Sequence, residues 1–150
     1  MGLKIGCAVW TLMPPPYQPP YEDTLSRIAE MGFDATELYL RSREDLISYW
    51  TAENTASIRS LLSEKGLTLS QFCLFQNLAG GLASLDENQN QVALQNVKDG
   101  CRLAKELGAK ALCIVAPWPE DITVHTTASL PEYFYINVPA IPKPGTGTVP

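Results

Sequence analysis

The sequence predicts an α/β fold built on a parallel sheet. Three observations carry that reading. Short apolar runs bounded by glycine, proline or polar clusters recur along the chain. Segments of helical periodicity separate them, and each helical segment ends at a glycine a few residues before the next apolar run. Buried parallel strands have the character of such runs. Strand–helix–strand alternation with short returns is the pattern of right-handed βαβ crossovers.

The elements follow in chain order. "LKIGCAVWT", from Leu3 to Thr11, is the first strand. It leads into "MPPPYQPP", where five prolines remove backbone N–H donors. "YEDTLSRIAEM" then places Tyr21, Leu25, Ile28 and Ala29 on one helical face and stops at Gly32. The second strand is "ATELYL", Ala35 to Leu40. "RSREDL", Arg41 to Leu46, reads as a solvated loop, or as a place where Arg41 meets a phosphate. Thr51 is the expected N-cap of "AENTASIRSLLSEK", whose apolar face is Ile58, Leu61 and Leu62. Gly66 ends that helix, in the left-handed conformation that glycine accepts.

The third strand is "TLSQFCLF", Thr68 to Phe75. "NLAGGLAS", Asn77 to Ser84, has two glycines but no phosphate-loop spacing, so a mobile rim loop is expected there. The longest helix runs from about Glu87 to Leu107, with Ala93, Leu94, Val97, Cys101, Ala104 and Leu107 as its stripe. Ser84 and Glu87 have capping-box spacing, and Gly108 closes the helix. "KALCIVAPW", Lys110 to Trp118, is the fourth strand. Residues 1–118 thus form the organised unit. Residues 119–150 read as an irregular segment rich in proline, glycine and threonine, with one candidate extra strand at 133–138.

Composition narrows the function classes. A chain of 150 residues with 45% hydrophobic content has room for one domain with its own core. A net charge of −5 and a pI near 4.8 argue against nucleic acid and anionic membranes as partners. No apolar run approaches the roughly 20 residues of a membrane span, and the first ten residues lack a secretory pattern. A cytoplasmic location is expected. Cys7, Cys73, Cys101 and Cys113 have no metal-site spacing and are read as reduced, buried, small hydrophobes. His125, the one histidine, has no acidic or histidine partner at a fixed spacing and reads as exposed or structural.

Two architectures suit the alternation. A small open doubly wound parallel sheet closes near this length, with about five strands. A (β/α)8 barrel needs about 250 residues, so four strands would be its first half. Length favours the open sheet. The loop after the first strand favours the barrel, because a proline-rich segment is a poor phosphate cradle.

The residues themselves then suggest a family. "CAVWTL", "YEDTLSRIAEMGFDATELYL", "SEKGLTLSQF" and "CRLAKELGAKALCIVAPW", in that order and spacing, resemble the xylose isomerase-like TIM barrels. This is the sugar phosphate isomerase/epimerase superfamily, which also includes endonuclease IV. The resemblance covers about residues 3 to 118, and Gly32 to Glu37 is its most specific piece. It implies the N-terminal half of a barrel. The implied chemistry is proton transfer next to a sugar carbonyl, assisted by a divalent ion (Mn, Mg, Co or Zn). In similar enzymes the metal ligands lie on later strands, so no metal is expected on this chain alone. The 150-residue chain is expected to have little or no activity unless a second half completes it. The alternatives are a non-enzymatic small-molecule-binding module and an inactive half-barrel fragment. One histidine and the net charge disfavour a DNA-repair nuclease.

Glu37 sits inside an apolar strand, where an unpaired charge is costly. By alternation it shares a face with Ala35 and Tyr39, which would point into a barrel. There it either pairs with a lysine or arginine of a neighbouring strand or meets substrate. Trp10, Phe75, Asn77 and Trp118 fall at expected strand C-terminal ends. Aromatic walls with an amide and a carboxylate suit a sugar or polyol. Ordinary packing is the other reading of each tryptophan. The expected substrate-binding set is Trp10, Glu37, Phe75, Asn77 and Trp118. The raw strand edges of a half barrel favour self-association.

Overall fold

Strands β1 (Gly6–Ala8), β2 (Ala35–Leu40), β3 (Thr68–Leu74) and β4 (Leu112–Ile114) form one parallel sheet in the order β1-β2-β3-β4. The computed structural model describes residues 3–84 and 86–115. Trp118, His125, the 119–150 segment and the candidate strand at 133–138 lie outside the described residues.

Strand order separates the two architectures. A doubly wound sheet reverses direction at a switch point, which places helices on both faces. Here each crossover steps to the next strand in the same direction. Right-handed connections then put every helix on one side. The fold is the first half of a (β/α)8 barrel.

The connecting helices are α1 (Glu22–Glu30), α3 (Ala52–Glu64) and α5 (Glu87–Leu107), and they touch in the sequence α1–α3–α5. Gly32, Gly66 and Gly108 all have positive φ, so the three helices end as expected. Two short helices were not expected. The segment read as a solvated loop contains α2 (Arg43–Ser48), capped by the Ser42 side chain, which accepts from the Asp45 amide. The expected rim loop holds α4 (Gln76–Ala79) and a 3₁₀ turn (Gly80–Ala83). Leu78 and Ala79 are buried there, and burial of these two residues gave no period long enough to read.

Other boundaries shift for physical reasons. β1 is three residues long rather than nine and passes into a 3₁₀ turn at Val9–Thr11. Among the described residues it has a neighbour on one side only, so one ladder sustains it there. The cap of α5 is Asp86, which accepts from the amides of Asn88 and Gln89, not Ser84. Ser84 instead bonds the Gln89 side chain. The buried stripe of α5 is Ala93, Asn96, Gly100, Leu103, Ala104 and Leu107, while Leu94 and Cys101 are exposed. Asn96 is tolerated inside because its amide donates to the Leu78 carbonyl and its oxygen accepts from Arg43.

Aromatic packing anchors the helix layer. Tyr21 stacks on Trp50 at 5.6 Å between ring centroids and meets Tyr39 and Tyr49 edge-on at 5.4 and 5.3 Å. Trp50 in turn stands edge-on to Phe72 at 5.4 Å. Each such pair contributes about 0.5–1.5 kcal/mol beyond area burial.

Candidate functional site

The two faces of the sheet differ in chemistry, and the packing of α5 tells them apart. A Cβ on Gly100 would lie 3.4 Å from Leu112 and 3.5 Å from Leu74, so these leucines face the helices. By alternation, Gln71, Cys73 and Cys113 face away from them. Gln71 is the register partner of Glu37 and donates to its Oε2. Glu37 therefore also points away from the helices, toward what is the interior of a complete barrel.

The other oxygen of Glu37 accepts from the indole N–H of Trp10 at 3.1 Å. Trp10 reaches it from the 3₁₀ turn that follows β1, where Ala8 is the register partner of Glu37. Both donors are neutral. Among the described residues no lysine, arginine or histidine forms an ion pair with Glu37. The expectation of a basic partner on a neighbouring strand is not met there. Two N–H groups use part of a carboxylate's roughly four lone-pair sites, which leaves acceptor capacity free. The indole is half exposed, at 49%.

Cys73 and Cys113 are register partners just above Gln71. Burial pushes the Cys73 thiol well above the ordinary thiol range, and the Glu37 carboxylate and Cys113 act in the same direction. The Gln71 amide also lies 3.9 Å from the Cys73 sulfur. The buried Cys73 thiol is a packing group and weak polar neighbour, not a nucleophile.

Of the residues expected from the sequence, the structure joins Trp10 and Glu37 directly. Phe75 packs its ring against Tyr39 at 5.2 Å, at the C-terminal end of the strands. Asn77 lies in the first turn of α4 and is exposed, with no bond to the cluster. Gln71 escaped the sequence reading. The signal was present, since it interrupts an apolar strand as Glu37 does.

The segment between β1 and α1 is fastened across this end of the sheet. The Tyr39 hydroxyl donates to the Tyr17 carbonyl at 2.5 Å, and Arg41 donates to the Pro16 carbonyl. Arg41 thus holds a loop, where the sequence left a phosphate contact open. Burial raises the Tyr39 hydroxyl to about 12, the first and largest influence on it.

A family model described as xylose isomerase-like TIM barrel matches residues 25–131. The chain belongs to that family. No curated protein matches it significantly. Among solved structures, this xylose isomerase-like chain is similar to D-psicose 3-epimerase determined in the presence of D-fructose. The identity is 16% and the TM-score 0.61, a likeness of fold. The match covers 78% of this chain and 39% of the epimerase chain, so the chain spans well under half of that enzyme's length. Among the described residues no helix is long and apolar enough to cross a membrane.

Proposed function

We propose that this chain supplies part of the binding surface for a small sugar or polyol, in a protein of the isomerase/epimerase kind. One observation carries the reading: Glu37 is held by two neutral donors, Trp10 and Gln71, on the face away from the helices. A carboxylate so oriented accepts hydrogen bonds from incoming hydroxyls with little further loss of side-chain freedom. The half-exposed Trp10 ring offers an apolar face to sugar C–H groups. Phe75 and Tyr39 supply a packed aromatic floor at the end of β3 and β2.

Asn77 and Trp118 complete the proposed contact set. Family kinship favours proton transfer next to a carbonyl, for which a divalent ion polarises oxygen when bound. Among the described residues no group of three or more histidine, cysteine, aspartate or glutamate side chains could hold that ion. The described residues therefore do not fit a metal site by themselves, and Glu37 acts as an orienting group. It positions a hydroxyl while Trp10 excludes water from one side.

The test is titration of the 150-residue chain with D-fructose and with a polyol, read by tryptophan fluorescence and calorimetry. Glu37→Gln exchanges one acceptor oxygen for a donor. It should weaken binding about tenfold, the equivalent of one charge-assisted hydrogen bond. Equal affinity in wild type and Glu37→Gln, or no saturable binding at all, would remove the assignment.

A further inference from the structure

One stretch of chain, Trp10 to Tyr17, is held by three side chains that follow one another at two-residue spacing along β2 and just past its end. Glu37 accepts from the Trp10 indole at 3.1 Å. Tyr39 donates to the Tyr17 carbonyl at 2.5 Å, and its hydroxyl lies 3.7 Å from the sulfur of the buried Met13. Arg41 follows the last residue of the strand and donates to the Pro16 carbonyl. The stretch is stiff between these points. Pro14, Pro15 and Pro16 have φ fixed by their rings. The Tyr17 amide donates back to the Pro14 carbonyl at 3.0 Å, and the Leu12 amide to the Val9 carbonyl at 3.1 Å. A hold on residues 13, 16 and 17 is therefore passed along to Trp10.

Tyr17 has a φ of 58°, in the left-handed region that a residue with a Cβ enters at a cost. Such a conformation persists where its surroundings over-determine it. Here they do so directly. The Pro16 and Tyr17 carbonyls belong to the two peptide groups that flank the Tyr17 Cα, and Arg41 and Tyr39 grip one each. Fixing both peptide planes fixes both backbone torsions of Tyr17.

We infer that Tyr39 and Arg41 are positioning residues: together they form a clasp that keeps Tyr17 left-handed and so seats the Trp10 indole on Glu37. With the clasp open, Tyr17 relaxes out of the left-handed region, the proline segment lifts from the strand ends, and the indole loses its place on the carboxylate. The C-terminal ends of the strands are where barrels of this kind bind their ligands. The clasp thus sets the fraction of molecules in which the Trp10–Glu37 pair is assembled, and a ligand that binds only the assembled pair closes the clasp in turn. That consequence for ligand rests on the sugar-binding reading above, whereas the seating of Trp10 does not.

The experiment follows exchange of the tryptophan indole N–H groups with water in ¹⁵N-labelled protein, the Trp10 and Trp50 peaks being assigned through Trp10→Phe and Trp50→Phe. Tyr39→Phe keeps the ring and removes only the hydroxyl. Arg41→Met keeps an unbranched side chain and removes the donors. Each should speed exchange at Trp10 about fivefold, the worth of one hydrogen bond. The buried Trp50 indole should keep its rate. An unchanged Trp10 rate in either variant, or an equal rise at Trp50, would overturn the inference. If Arg41→Met fails to fold, Tyr39→Phe decides alone. In the sugar titration both variants should bind up to about fivefold more weakly, as the assembled fraction falls. A wild type that binds no sugar would end the sugar reading and leave the exchange result standing, so the two fail separately.

Discussion

Replacing two glycines by alanine should have opposite effects, and the geometry fixes both signs. Gly100 is buried within α5, where glycine costs roughly 0.5–1 kcal/mol relative to alanine. A Cβ there would meet Leu112 at 3.4 and 3.7 Å and Leu74 at 3.5 Å, all ordinary contacts. Gly100→Ala therefore gains helix propensity and fills space without displacing backbone. It should stabilise the fold by about 1 kcal/mol, with a melting point higher by roughly 4 °C. Gly81 is different. A Cβ there would lie 2.5 Å from the Gln89 carbonyl oxygen and 3.1 Å from the Ala93 Cβ. The obstacle is the backbone of α5, which cannot rotate aside. The 3₁₀ turn would have to lift off the helix, at a cost of about 1–3 kcal/mol. Urea unfolding followed by circular dichroism measures both. Refutation is a Gly100→Ala protein less stable than wild type, or a Gly81→Ala protein equal to it, since either would mean that the α5 contacts are not as described.

Further outcomes follow from the same structure. Tyr39 ionises at about 12 in the fold against 10.0 unperturbed, so above pH 10 the unfolded chain loses this proton first. The Tyr39 share of stability should be intact below pH 10 and fall as pH rises toward 12, by up to about 1.4 kcal/mol per pH unit, and burial of Tyr21 and Tyr49 adds to the fall in the same direction. Urea midpoints should show this, with a shallower decline in Tyr39→Phe. Asp86→Ala removes the acceptor of two helix N–H groups. It should cost about 1 kcal/mol in the same assay. Cys101 is exposed whereas Cys73 is buried and resists ionisation, so mass mapping after brief native alkylation should find label on Cys101 long before Cys73. Trp10→Phe should leave the fold intact and weaken the sugar binding measured by calorimetry, because Glu37 loses one of its two donors.

What the sequence determined by itself is the alternation and its punctuation. The three terminal glycines, the apolar faces Tyr21–Leu25–Ile28 and Ile58–Leu62, and the Thr51 cap are local facts set by backbone sterics and side-chain spacing. Glu37 was legible as a candidate because a carboxylate in an apolar strand violates a local rule. Tertiary structure alone decided the rest. Whether the sheet winds in one direction or two depends on which strands pair, and that is not encoded in any window of the chain. That Glu37 meets Trp10 and Gln71 follows from register across two strand junctions. The short helix α4 exists because Leu78 and Ala79 find buried positions, and α2 is tied to α5 by Arg43, which donates to Asn96. Such elements are too short to carry a period of their own, so long-range packing supplies the free energy that local propensity does not.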